Sequence, residues 1–158
     1  MLNVGDKIFI PNYGAGIVVD INNRNFFEKE EQYIKIYLIV DDMNLLIPAE
    51  KFAKYNFRNI VSKETMEETL KIIACTPEKV ETNWSKRYRK NKIKIARGNV
   101  YEMCQVVRDL YYLKSMEMLP VGEEKILEKA QHMLISEIML IFNIDKMDAR
   151  FKIMEKSE

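Results

Sequence analysis

Residues 59–77 read NIVSKETMEETLKIIACTP, and within them the apolar period of the chain changes. Before Ile60, apolar side chains come in short runs rich in Ile, Val and Tyr, the pattern of strands. After it they recur every three or four positions, the pattern of helix. Ser62 can serve as an N-cap, its hydroxyl accepting an orphan amide of the first turn. Met66, Leu70 and Ile73 then share one helix face through Cys75. Thr76-Pro77 ends the helix, because a residue before proline resists the α conformation. This boundary divides the chain into a β part and a helical part, an α+β protein of two domains.

Working back from the boundary, strands are expected at Lys7–Ile10, Gly16–Ile21, Tyr33–Ile39 and Leu45–Ile47. Breaks fall at PNYGAG (11–16), Asn22-Asn23 and DDMN (41–44), with Gly14 and Gly16 where other residues would be strained. Strands at this spacing suggest a small, strongly bent sheet or barrel. Either the barrel is self-contained, or an edge strand accepts a partner.

Working forward, residues 78–83 form a loop and a basic helix runs from Trp84 to Arg97, stopped by Gly98. Asn99 starts the next helix with Glu102 as capping-box partner and Val100, Met103, Val107 and Leu110 as its stripe. Pro120 opens a further helix, and Glu123 and Glu124 suit its positive end. Its core face runs through Ile126, Leu127, Ala130, Leu134, Ile138 and Ile141 to about Phe142. The expected domains are 1–59 (β), 60–145 (a compact bundle of about four helices) and 146–158 (a frayed tail). No repeat or low-complexity linker is present.

The composition supports this layout. Apolar residues make up 47% of the 158, enough for a core, and 31% are charged. No apolar run approaches the roughly 18 residues of a membrane span. The start, MLNVGDKIFIP, has no leader pattern, so a cytoplasmic protein without membrane contact is expected. Cys75 and Cys104 lie among apolar neighbours and read as buried free thiols. His132 is the single histidine, and no Cys or carboxylate cluster beside it suggests a metal.

Enzyme chemistry finds no support. No glycine loop carries the lysine of a nucleotide site, and NYGAG (12–16) precedes a strand rather than a helix. A nucleophile triad would have to recruit His132, whose sequence neighbours offer no supporting group. Asp41-Asp42 falls in an expected turn. A protein that is not an enzyme and has no cofactor is the reading.

The densest chemical signal is NWSKRYRKNKIKIARG (83–98). The chain is nearly neutral, with 25 basic and 24 acidic residues, yet Lys86, Arg87, Arg89, Lys90, Lys92, Lys94 and Arg97 gather here without one acidic residue. Trp84, the only tryptophan, heads the run. Such cations can neutralise phosphates and release counterions, and an indole can stack on or wedge between bases. A solvated cationic face with a core tryptophan is the other reading. Helical fanning lets about three or four of the seven meet one DNA strand. Ile93 and Ile95 are expected to face inward.

The order of parts resembles the CarD/CdnL family of bacterial transcription regulators, whose N-terminal module is shared with the transcription-repair coupling factor. VGDKIFIPNYGAG (4–16) looks like the family's opening V-G-D-x-V-x-Y-P-x-x-G-x-G, and Ile47-Pro48 resembles the closing V-P. NWSKRYRKN (83–91), RGNVYEMCQVVRDL (97–110) and GEEKILEKAQHMLISEI (122–138) are similar to its helical blocks. The resemblance covers about residues 2–142, and the joint occurrence of W-[ST]-x-R-x-R, V-V-R-D-L and G-E-x-x-x-L is specific.

The resemblance implies a Tudor-like barrel that docks on the RNA polymerase β subunit. It implies a helical part that contacts promoter DNA, without strong sequence preference, at the upstream edge of the melted region. By position, Trp84 is a minor-groove wedge that tunes open-complex stability. Lys86, Arg87, Arg89 and Lys90 are phosphate-facing, and Lys94 and Arg97 extend the basic face. Free DNA binding would be weak and salt-sensitive, and tethering to polymerase would compensate. Arg24 matches a docking arginine of the family, whereas Leu46 occupies a second, usually basic, position. A charge-assisted hydrogen bond is missing there, so docking is weaker or the partner surface has changed. Pro120 replaces a usual serine without endangering the helix start. The resemblance favours a monomer. Rival readings are a polymerase-binding module without DNA contact, an RNA-binding protein, and a detached piece of the repair-coupling translocase.

Overall fold

The computed structural model describes residues 2–26 and 29–157, with the side chains of 24–26, 29 and 157 outside the described set. Its elements in chain order are β1 (Lys7–Ile10), β2 (Gly14–Phe26), β3 (Lys29–Leu38), β4 (Met43–Pro48), α1 (Ala49–Phe52) and β5 (Arg58–Asn59). Five longer helices follow: α2 (Lys63–Ala74), α3 (Trp84–Arg97), α4 (Val100–Ser115), α5 (Val121–Phe142) and α6 (Lys146–Ser157). The two-domain α+β layout stands.

The strands form one antiparallel sheet ordered β4-β3-β2-β1-β5. The expected barrel is not closed. Among the described residues no ladder joins β4 to β5, so both remain edges. Only two residues of β5 pair with β1, through Ile8↔Asn59 and Phe9↔Arg58.

Strand alternation explains how the sheet meets the helices. Ile8 and Ile10 point to one face, where Val18, Ile36, Leu38 and Phe52 complete a small core. Phe9 and Ala15 point the other way and join the helical core with Met103, Leu110 and Leu134. The Ala15 N–H donates to Ser136 Oγ on α5 at 2.8 Å, and that hydroxyl donates to the Met133 carbonyl at 2.6 Å. Gly14 is required at this contact: its φ is +107°, and a Cβ there would lie 2.8 Å from Ser136 Oγ.

The helix ends follow local chemistry. Ser62 Oγ accepts from the Thr65 amide, Asn83 Oδ1 from Lys86 and Asn99 Oδ1 from Glu102, each at 3.1 Å. Gly98 takes the left-handed conformation at the end of α3. Its open side rests on β1, where a Cβ would stand 2.8 Å from Pro11 and 3.0 Å from the Phe9 ring.

Several expectations need correction. Asn22-Asn23 is not a break: both pair with β3, opposite Tyr33 and Gln32. Beyond Ile17, where β1 stops, β2 and β3 continue as a two-stranded ribbon. Exposed asparagines cost no burial there, and a bulge between Val18 and Asp20 adjusts the register. Of residues 146–158, expected as a frayed tail, 146–157 are helical. Residues Lys146–Ser157 form α6, with Asp145 Oδ1 accepting from the Asp148 amide at 2.8 Å. Ala149 and Ile153, one turn apart, are buried in the helical core.

Cys75 is exposed at the end of α2, not buried, while Cys104 is fully buried in α4. Burial pushes the Cys104 thiol up to about 12. A thiol-specific reagent at neutral pH will modify Cys75 in the native protein and Cys104 only after denaturant is added. Prompt reaction of both thiols in native buffer would contradict this packing.

Candidate nucleic-acid interface

Helix α3 presents an inward face, an outward face and two flanks. Its inward face carries Arg87, Asn91 and Ile95, four residues apart and all buried. Its outward face carries Lys86, Arg89, Ile93 and Arg97, all exposed. Lys90 and Lys94 flank that face on one side, and Tyr88 and Lys92 on the other. Ile93 is 51% exposed, contrary to expectation, because an arginine and an asparagine occupy the inward positions of this helix.

Trp84 is the first residue of α3 and 66% exposed. It is not a core residue. The Asn83 cap holds the turn that displays it. Two and five residues on, Lys86 and Arg89 are exposed on the same helix. An apolar blade thus stands at the positive end of a helix dipole.

Arg87 requires a correction. It does not face outward: it is 7% exposed and held by Glu123 of α5. Arg87 Nε donates to both Glu123 oxygens, at 2.9 and 3.1 Å, and Nη2 donates to Oε2 at 2.8 Å. Nη1 donates to the Glu81 carbonyl at 2.8 Å. Three of its five N–H groups are engaged and the side chain is buried, so this guanidinium is not presented to phosphate. Its cause is a partner 36 residues away that only the fold brings near.

The remaining cations differ in freedom. Lys86 and Lys90 lie 3.7 and 3.9 Å from Glu81 Oε2, pairs too solvated to count as fixed. The Asn83 backbone N–H donates to Glu81 Oε1 at 3.2 Å. That donation, with Lys86, Lys90 and Lys79 nearby, holds the Glu81 carboxyl below the usual carboxylate range. Glu81 is the acidic counterweight that the run 83–98 lacks, and it lies just outside that run. Lys94 Nζ donates to Gln105 at 3.3 Å, and Arg97 pairs with Glu102 at 2.8 Å. Glu102 therefore serves Arg97, and no capping-box bond from its side chain to Asn99 is present. Arg89 makes no ion pair among the described residues and is the least encumbered cation of the face.

The expected docking residues sit on the sheet. Leu46 lies on edge strand β4, opposite Lys35, and is 43% exposed. Arg24 lies on the backbone of β2 opposite Glu31, but its side chain is outside the described residues. Among the described residues no group of three or more His, Cys, Asp or Glu could hold a metal ion. No helix among them is long and apolar enough to cross a membrane. His132 Nε2 lies 2.8 Å from Asp41 Oδ1, a supporting carboxylate that sequence proximity could not reveal.

Two family models match the chain: the CarD C-terminal domain over residues 68–154, and the CarD-like/TRCF RID domain over residues 2–61. The chain is also 33% identical, over 144 residues, to "Putative transcription factor YdeB" of Bacillus subtilis (strain 168). That alignment covers 91% of this chain and 94% of the relative.

Proposed function

This chain belongs to the CarD family, and from that premise we propose that it is a transcription regulator that steadies open promoter complexes with the indole of Trp84. In this reading the sheet module, a Tudor-like unit, docks a single copy of the protein on the RNA polymerase β subunit through edge strand β4 and the ribbon that carries Arg24. The helical module then meets duplex promoter DNA in the cytoplasm without strong sequence preference. The observation that carries the reading is the exposure of Trp84 at the capped start of α3, the helix that also exposes Lys86 and Arg89.

Each residue has a distinct task. Lys86, Arg89, Lys90 and Arg97 take phosphates on either side of the minor groove. Lys86 and Lys90 exchange Glu81 for DNA as they do so. Lys94 reaches the duplex only by leaving Gln105. Trp84 enters between base steps, an unstacking that costs a few kcal/mol and is offset by polymerase tethering. Arg87 holds the helix in place from behind. With about four phosphates engaged, binding to free DNA falls steeply with salt.

The test is the lifetime of open complexes formed by the cognate polymerase with no addition, with this protein, and with Trp84→Ala. The intact protein will lengthen the lifetime. Losing about 1–3 kcal/mol of stacking will shorten it about fivefold or more in the variant. Because Trp84 is exposed, the variant will keep its melting temperature and its polymerase docking. An unchanged lifetime despite demonstrated docking would reject the wedge and leave a polymerase-binding module.

A further inference from the structure

On the flank of α3 away from Glu81, a groove of about 340 Å³ runs between this helix and the first turns of α5. Its floor is apolar, formed by the buried side chains of Ile95 and Ile126. The half-buried ring of Tyr88 forms a wall. Three ammonium groups ring the opening: Lys92 from α3, and Lys125 and Lys129 from α5. No carboxylate lines it.

The acidic residues of α5 are engaged elsewhere. Glu123 holds Arg87, Glu124 lies 3.4 Å from Lys114, and Glu128 borders a different cavity with His132. Among the described residues, Lys125 and Lys129 make no ion pair. Lys92 Nζ sits over the Tyr88 ring, 5.2 Å from its centroid. Three like charges therefore converge on one concavity without a counter-ion. The space beside Gly122 is open: a Cβ there would meet nothing within 4 Å.

We propose that this groove binds a nucleoside polyphosphate, with the phosphates on Lys92, Lys125 and Lys129 and the base against Tyr88 and the apolar floor. The volume lies within the range of about 300–1,000 Å³ typical of small-molecule sites. Lysine binds phosphate as a mobile point charge, which suits a flexible polyphosphate chain. A DNA backbone would use the cations but leave the apolar floor and the tyrosine wall empty. The groove is also separate from the outward face of α3 that carries Lys86, Arg89 and Arg97.

Calorimetric titration of the full chain with ATP, GTP and inorganic triphosphate at physiological salt tests this. Saturable binding at one site is expected, with a nucleotide held at least about tenfold tighter than triphosphate, since only the nucleotide uses the ring contact. Lys92→Ala, Lys125→Ala and Lys129→Ala should each weaken nucleotide binding about tenfold. Tyr88→Ala should weaken the nucleotide and leave triphosphate unchanged. Lys63→Ala, the same charge loss at the start of α2, should change neither. No saturable binding up to about 1 mM would overturn the proposal, since affinity would then be below about 4 kcal/mol. So would equal affinity for nucleotide and triphosphate, which would mark a bare anion patch. A defect of the lysine variants confined to duplex DNA would instead make the groove an extension of the DNA surface, and would overturn it too.

Discussion

Arg87→Ala will destabilise the protein by about 3–5 kcal/mol, the usual cost of removing one partner from a buried ion pair. Glu123 is 1% exposed, and its two oxygens receive three of the four hydrogen bonds that the guanidinium donates. Truncating the arginine leaves that carboxylate desolvated with no counter-ion, and also frees the Glu81 carbonyl. Urea unfolding measures the loss. Glu123→Ala should cost a similar amount. The double variant should cost much less than the sum, because neither charge is then stranded. Replacing the pair with Met and Leu should come close to wild-type stability. The consequence for DNA is specific. Any binding defect of Arg87→Ala will scale with its unfolded fraction, whereas Arg89→Ala will lose affinity with its unfolding curve unchanged. A fully stable Arg87→Ala that still fails to bind DNA would return Arg87 to the interface.

Glu137→Ala should be as damaging and should also change how the protein unfolds. Glu137 is completely buried in α5. It accepts from both terminal nitrogens of Arg58, at 2.7 and 2.8 Å, and from the Val61 amide at 3.0 Å. Arg58 in turn donates from Nε to the Gly98 carbonyl at 2.9 Å and lies over the Phe9 ring at 4.3 Å. One carboxylate thus joins β5, the crossing at Val61, the end of α3 and the centre of α5. A loss of about 3 kcal/mol or more is expected. Scanning calorimetry should resolve two transitions in the variant where the wild type shows one, because the sheet loses its tie to the bundle. Arg58→Lys will not rescue the joint: an ammonium keeps the charge but lacks the planar fork that reaches Glu137, Gly98 and Phe9 together. A single, unshifted transition in Glu137→Ala would show that the apolar contacts of Phe9 and Ala15 suffice.

Much of this architecture is legible from local sequence. The caps at Ser62 and Asn99 and the stop at Gly98 stand where the sequence places them, because a cap depends on residues within one turn. The change of period at Ile60 likewise falls between the last strand, β5, and α2. What escaped is non-local or ambiguous in period. Arg87 reads as one more surface cation until the fold brings Glu123 against it. With Arg87 and Asn91 on the inner face, the isoleucines of α3 mislead, and Ile93 turns outward. Helix α6 carries two apolar faces: Ala149 and Ile153 inside, Met147 and Phe151 exposed. Its single stripe is blurred, and it reads as tail. Closure of the sheet depends on strands far apart in sequence, and no local signal reports it.

The seating of Gly98 on Pro11 and Phe9 makes α3 a lever with its fulcrum in the sheet. Fourteen residues at about 1.5 Å each give an arm of roughly 20 Å. A tilt of about 3° at the Gly98 end moves the indole at the far end by about 1 Å. The Arg87–Glu123 pair braces the arm near its tip, and Arg58 grips it at the pivot. The separation between the β4 edge and Trp84 therefore behaves as a fixed gauge length. Under the proposed function, whatever surface holds the sheet also dictates how far along a duplex the indole arrives.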